Sequence, residues 1–348
     1  MNKKINLIIG SGVLGAYLSA ELLKKKEKVV VTTRSLKKIY KNYNFLKIQK
    51  KVIFEKLNIN EKKQIDKIIS KYNPKKIFYF AGQSSLTKSI KSKQETLNSH
   101  YNGTKNFLEI LKKKKSAIKF FKANSGYIFA PKNGFINLKC KLSSNKNPYI
   151  KAQKNVFNLI KKFRKYKLNL SNLIFMQIES PLRPGDFFIK KVCIGAKNKK
   201  KIIVGNINTY RDYTWITDII KAILLTSNLE TKDHIISAGS NLSGKNIIKE
   251  AYKLNGLNYK KYYTIDKKFF RKNEYKYLIG SKKNTSYLKK KYNFEFKIFG
   301  NKLIKKCLKA YENRYLFKLY WFRCKFTSSF VLPPNSKTAW ACNNNYSL

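Results

Sequence analysis

Acidic side chains are scarce in this chain: 18 Asp and Glu stand against 76 Lys and Arg in 348 residues, a formal net charge of +58. Histidine is scarcer still. His100 and His234 are the only two, which argues against a histidine-built metal site or a Ser-His-Asp triad. The five cysteines, Cys140, Cys193, Cys307, Cys324 and Cys342, form no CxxC pair and no ligand spacing, so no metal and a reduced, cytoplasmic compartment are expected. Long apolar runs are absent as well. The aromatic stretch YLFKLYWFRCKF is interrupted by Lys318, Arg323 and Lys325, too short and too charged for a bilayer span, so no transmembrane segment is expected.

So large a positive charge would ordinarily point to nucleic acid or an anionic membrane. The lysines, however, are spread through every part of the sequence instead of being gathered in one arm or stripe, which reads as compositional drift and predicts no specific nucleic-acid partner. Against that background arginine is informative. Only seven occur, Arg34, Arg164, Arg183, Arg211, Arg271, Arg314 and Arg323, and where lysine is so freely used a retained arginine suggests a planar, two-pronged contact with an anion.

What is present has a clear order. INLIIG is an apolar run ending in glycine, VLGAYLSAELLKKK has helical spacing, and KVVVTTR is a β-branched strand. Gly10, Gly12 and Gly15 fall between the first strand and the helix, the context in which a GxGxxG turn receives a pyrophosphate at a helix N-terminus. The opening residues are therefore read as the start of a fold and not as a secretory signal. Arg34 follows the second strand, where the ribose of a dinucleotide is held; arginine there suits the 2′-phosphate of NADP better than the bare ribose of NAD, with Lys37 and Lys38 as helpers.

The alternation continues with a helix from Asn60 to Tyr72, the strand KKIFYFAG, a helix with the stripe Leu97, Tyr101, Thr104, Leu108 and Leu111, the strand IKFFKANSG, a helix opened by Tyr149, and the strand LNLSNLIFMQI. This pattern predicts an α/β fold, a doubly wound parallel sheet of Rossmann type over residues 1–179. A smaller C-terminal substrate domain is expected over 180–314, partly interleaved with the first. Residues 315–348 read as an aromatic segment and a tail outside the fold, since lysine nearly vanishes after Thr327.

Several stretches carry a more specific likeness. FAGQSSLTKSI with NGTKNFLEIL, then ESPLRPGDFFIKK, GNINTYRDYTWITD, AGSNLSGKNIIKEA and RKNEYKYLIG resemble the extended short-chain dehydrogenase/reductase family, and within it the GDP-mannose 4,6-dehydratases, over roughly residues 4–312. The resemblance implies a nucleotide-sugar enzyme, a homo-oligomer, that uses NADP to oxidise carbon 4 of a GDP-hexose. It implies that Ala81, Gly82, Gln83 and Arg183 line the cofactor, and that Glu179, Lys191, Arg211, Arg271 and Glu274 hold the substrate. Ser125 and Tyr149 take catalytic places.

The departures from the family pattern are equally specific. Tyr127 stands where the family has a glutamate, Gln153 where it has the lysine four residues after the tyrosine, Gln177 and Ile178 where an asparagine and histidine precede ESP, and His100 where an asparagine precedes GT. A tyrosine serves as a base only if its pKa falls, which a nearby cation achieves; Gln153 brings none. Tyr127 cannot take a carbon-5 proton at neutral pH. Three readings follow: a dehydratase with shifted catalytic groups, a 4-ketosugar reductase or epimerase that needs only Ser125 and Tyr149, and a binding protein that has lost its chemistry. A wide turn in the Tyr149 helix would bring Lys154 to the tyrosine's face; the regular helix predicts Gln153 inward and Lys154 away.

Overall fold

Seven short runs rich in Ile, Val, Leu and Phe lie side by side in a computed structural model that describes residues 4–37 and 40–311. They are β1 (Ile5–Ile9), β2 (Lys28–Thr33), β3 (Ile53–Lys56), β4 (Lys76–Tyr79), β5 (Lys119–Ser125), β6 (Leu170–Phe175) and β7 (His234–Ile236). Every pairing is parallel, in the order β7-β6-β5-β4-β1-β2-β3. A parallel sheet is covered on both faces, so its strands need apolar residues on both. In β1, Leu7 and Ile9 pack toward the helices Lys62–Tyr72, Gly103–Lys113 and Pro148–Arg164, while Ile8 packs with residues of the helices Phe188–Lys197, Ile216–Thr226 and Gly244–Lys253.

The strand order reverses between β1 and β4. In doubly wound sheets a crevice opens at that point, beyond the carboxyl ends of the strands. There the chain runs from β1 into Gly10, from β4 into Ala81 and Gly82, and from β5 out of Ser125. β7 comes from beyond residue 180, so the second half of the chain completes the sheet begun by the first. A second, four-stranded sheet in the order 242–243, 210–211, 277–280, 135–136 takes its last strand, paired in parallel, from the first half of the chain, and it positions Arg211 on the strand Tyr210–Arg211.

Two sequence expectations need correction. The helix expected from Asn60 begins at Lys62. More consequentially, the stripe Leu97–Tyr101 is not the buried face of its helix. The segment is α over Lys93–Leu97, π over Asn98–Asn102 and α again over Gly103–Lys113. The wide turn places Thr96 and His100 inward, with Leu97 and Tyr101 only partly covered. Lys38, the aromatic segment and the tail lie outside the described residues, and among the described residues no helix is long and apolar enough to cross a membrane.

Candidate functional site

The three glycines of the first turn have three different reasons to be glycine. Gly10 has φ +107°, and a Cβ there would lie 2.9 Å from the Ala81 nitrogen. At Gly15 a Cβ would collide with the Gly10 carbonyl oxygen, so bare backbone is what lets the helix Val13–Lys24 rest on the turn. Around Gly12 a Cβ would meet nothing within 4 Å. It caps a helix whose first N–H groups have no side-chain cap and no acidic neighbour in the first turn, an arrangement open to an anion.

Across the crevice, the Asn147 side chain accepts a hydrogen bond from the Tyr149 N–H at 3.0 Å, and Pro148 occupies the first position of the helix Pro148–Arg164. Both are strong start signals, and they bury Tyr149 in the first turn. Burial pushes the tyrosine pKa up; Gln153 and Ser125 beside the hydroxyl, and the more distant Arg183, pull it down without cancelling that shift. The tyrosine is thus held as a neutral phenol. The helix is α throughout, so the wide turn that would bring Lys154 round is absent from it. Gln153 is 3% exposed, whereas the Lys154 ammonium donates to the Ser143 carbonyl at 2.6 Å. Lys151 is exposed.

The wide turn lies instead in the helix facing Tyr149. Two carbonyls in it find other donors: Ser99 accepts from the Tyr79 hydroxyl at 2.7 Å, and His100 from Thr104 Oγ1 at 2.6 Å. The imidazole of His100 sits directly on Gly82, where any Cβ would strike the ring, and meets Tyr149 edge-on with ring centroids 5.5 Å apart. Its Nε2 is 2.9 Å from the Gln83 carbonyl oxygen. Burial, reinforced by the positive charge of Lys122, lowers its pKa to about 3. Lys122 is itself fully buried in β5, donating to the Ala123 carbonyl and lying 4.9 Å from the centre of the Tyr79 ring, and burial lowers its pKa to about 7.

On the far side of Tyr149 lies a polar cluster. Arg211 Nη2 meets Glu274 Oε1 at 2.8 Å, Arg271 Nη1 meets the same oxygen at 3.2 Å, and Arg211 Nε donates to the Tyr127 hydroxyl at 3.4 Å. Three of the five residues expected to hold substrate therefore come together. Lys191 has other partners: it donates to the Ile203 carbonyl at 2.7 Å and has Phe269 beside it.

Glu179 is not in this cluster. It is buried with Oε1 3.9 Å from Arg183 Nε, and burial raises its pKa to about 7, opposed by the charges of Arg183 and Lys190. Arg183 stacks on Phe187. Gln83 accepts from the Ser85 N–H at 2.7 Å and donates to Thr96. Arg34, at the end of β2, is exposed and paired with Glu95 at 3.1 Å.

Sequence reasoning passed over Lys122 as one of many lysines, although a lysine between Phe121 and Ala123 in a two-sided buried strand is itself a signal, since an uncharged form must be tolerated there. Tyr127 was legible as a lost glutamate but not as a partner of Arg211, 84 residues away.

A sequence model of the family described as GDP-mannose 4,6 dehydratase matches residues 7–307. The chain is 22% identical over 338 residues to a GDP-mannose 4,6 dehydratase of Dictyostelium discoideum, covering 87% of this chain and 94% of that one. It is 24% identical over 336 residues to GDP-mannose 4,6 dehydratase 1 of Arabidopsis thaliana, covering 87% and 88%. Among solved structures, a dTDP-glucose 4,6-dehydratase from Bacillus anthracis in complex with NAD aligns with TM-score 0.76 at 18% identity, over 91% of this chain and 99% of that one. A UDP-glucose 4-epimerase from Thermotoga maritima with UDP-glucose aligns with TM-score 0.75 at 18% identity, over 89% and 99%.

Proposed function

Because the chain belongs to the GDP-mannose 4,6-dehydratase family, we propose that it binds a nicotinamide dinucleotide along the glycine turn and a GDP-hexose against the arginine cluster, and acts at carbon 4 of the hexose. The observation that carries this reading is an unbroken succession of side chains across the crevice. His100 lies on Gly82 and against Tyr149, Tyr149 has Ser125 beside its hydroxyl, Ser125 Oγ accepts from the Tyr127 N–H at 3.3 Å, and the Tyr127 hydroxyl accepts from Arg211, which is paired with Glu274. The residues present fit a dinucleotide: an uncapped helix N-terminus, open space over Gly12, and buried acceptor atoms on His100 and Gln153 that have no partner of their own.

When bound, the dinucleotide supplies a hydride acceptor at carbon 4. Tyr149 is placed to take the proton of the carbon-4 hydroxyl and to return it, and Ser125 to hold the same oxygen by a hydrogen bond. Arg211 and Arg271 neutralise the diphosphate, exchanging part of their pairing with Glu274 for it. The division of labour near residue 180, dinucleotide before and nucleotide sugar after, belongs to this proposal.

Incubating the purified protein with GDP-mannose and NADP and following the sugar by NMR tests the reading. A 4-keto-6-deoxy product supports full dehydration. Tyr127 favours a second reading, a 4-ketosugar reductase or epimerase, since a phenol anchored by Arg211 stands where carbon-5 proton removal needs a carboxylate. That reading expects NADPH consumption, or an epimer, when a GDP-4-ketohexose is supplied. With neither outcome the chain is a nucleotide-sugar binder.

The cofactor we propose is NADP. Its 2′-phosphate pairs with Arg34, which the exposed contact with Glu95 releases at little cost, and Lys37 adds charge. Arg34→Asp is expected to reverse the order of NADPH and NADH affinities measured by fluorescence titration; unchanged ratios would refute the assignment.

The glycines give a paired test. Gly15→Ala is expected to lower stability by about 1–3 kcal/mol through overpacking, read as a shifted urea midpoint. Gly12→Ala is expected to leave the midpoint in place and to weaken dinucleotide binding. A shift of the midpoint by both would show that Gly12 serves packing alone.

A further inference from the structure

We propose that His100 Nδ1 and Gln153 Oε1 form an uncharged acceptor pair that receives two neighbouring hydroxyl groups of the dinucleotide, a ribose diol. This assignment rests on the dinucleotide reading above. Both atoms are buried and both lack a hydrogen-bond partner in the protein, although buried polar atoms are almost always paired. The identity of the histidine atom follows from its neighbour. Nε2 faces the Gln83 carbonyl at 2.9 Å, and a carbonyl only accepts, so Nε2 carries the hydrogen and Nδ1 of the neutral ring has only a lone pair. Burial and the charge of Lys122 hold the ring neutral across the ordinary pH range. Gln153 contributes a carbonyl oxygen, likewise acceptor only.

The two side chains flank the same place. His100 covers Gly82, part of the loop after β4 at the switch point, and touches Tyr149; Gln153 lies four residues after Tyr149 on the same helical face and beside its hydroxyl. Two buried acceptor atoms without partners beside one tyrosine favour a ligand that presents O–H groups to both. A cation at the Gln153 position would donate to such a ligand; here the ligand donates and the protein accepts. In this role His100 is a positioning residue, fixed by the wide turn Asn98–Asn102 and by the Gln83 carbonyl.

Binding, measured without turnover, tests the pair. NADPH and an analogue lacking the 2′-hydroxyl of the nicotinamide ribose are titrated by fluorescence into the wild type, His100→Leu, His100→Asn and Gln153→Leu. Loss of one net hydrogen bond of about 1 kcal/mol corresponds to roughly fivefold in affinity. His100→Leu and Gln153→Leu are expected to bind NADPH about that much more weakly, and His100→Asn, which restores an acceptor, to recover most of the loss. The deoxy analogue should bind the wild type more weakly than NADPH does and lose less on substitution to Leu.

Long-range ¹⁵N correlation spectra of the wild type supply an independent reading: the His100 signals should be those of the Nε2–H tautomer, and its Nδ1 resonance should move upfield on adding NADPH as the lone pair is engaged. A wild type that binds NADPH, with His100→Leu and Gln153→Leu binding it equally well or with an unmoved Nδ1 resonance, overturns the pair. A wild type that binds neither NADPH nor NADH overturns the dinucleotide reading and the pair with it.

Discussion

Tyr149→Phe is expected to lower kcat by about 10²–10⁴-fold, the usual worth of a positioned acid/base group, while the dinucleotide still binds. The phenol hydroxyl is the group that all the local geometry serves. The Asn147 cap fixes its backbone, Ser125 and Gln153 stand beside its oxygen, and His100 packs edge-on against its ring. Removing one oxygen leaves that packing intact, so a fall in kcat at constant NADPH affinity reads the proton transfer itself. Retention of most of the activity by Tyr149→Phe would remove Tyr149 from the mechanism and move attention to Ser125 or to a water.

The second large effect is a gain. Burial raises the Tyr149 pKa, and oxidation of a hydroxyl requires the tyrosinate, so the oxidative rate of the wild type should climb with pH through the alkaline range. An ammonium within about 4–6 Å lowers such a pKa by about 1–3 units. Gln153→Lys is therefore expected to move the rising limb of the pH profile down by that much and to raise the rate at pH 7 about tenfold for each unit. Lys122, also buried near this end of β5 and close enough to act on His100, opposes a second cation and favours the lower end of the range. Lys154→Ala is the control: its ammonium is spent on the Ser143 carbonyl, so little change in rate is expected. Loss of activity in Lys154→Ala, with no gain in Gln153→Lys, would mean that the helix opens in solution to bring Lys154 round.

How much of this was legible depended on whether a feature was local. β1, the glycine turn and β2 could be read because strand, turn and helix signals follow one another within about thirty residues, the span of a strand-helix-strand unit. β7 could not: three residues buried on both faces show neither alternation nor length, and only the sheet they complete identifies them. The Tyr149 helix declared itself through Asn147, Pro148 and its apolar stripe, and regular geometry then sufficed to turn Gln153 inward. The helix before it misled, because its wide turn interrupts the 3.6-residue period and the stripe through Leu97 and Tyr101 assumed none.

Of the arginines read as anion contacts, Arg211 and Arg271 converge on Glu274, while Arg34 and Arg183 stand apart. Their scarcity marked them as unusual, but only tertiary structure shows which two act together. Glu179 illustrates the opposite limit. Its place in ESP suggested substrate, yet the fold turns its carboxylate inward toward Arg183 and Lys190, a distinction that spacing does not contain.

The turn Asn98–Asn102 has a consequence for heredity. A π turn holds one residue more than the α turn it replaces, so this helix carries a spare codon. Losing Ser99, for instance, would let an uninterrupted α ladder form between Lys93–Leu97 and Gly103–Lys113, with both flanking segments left in place. Thr96 would keep the Gln83 amide and Glu95 its exposed pairing with Arg34, while His100, inside the turn, would lose the wide geometry that sets its ring on Gly82. Elsewhere in a helix a one-residue deletion scrambles every contact on one side of it. Here it is absorbed within a single turn, so a change of one codon can move the imidazole without redesigning the helix.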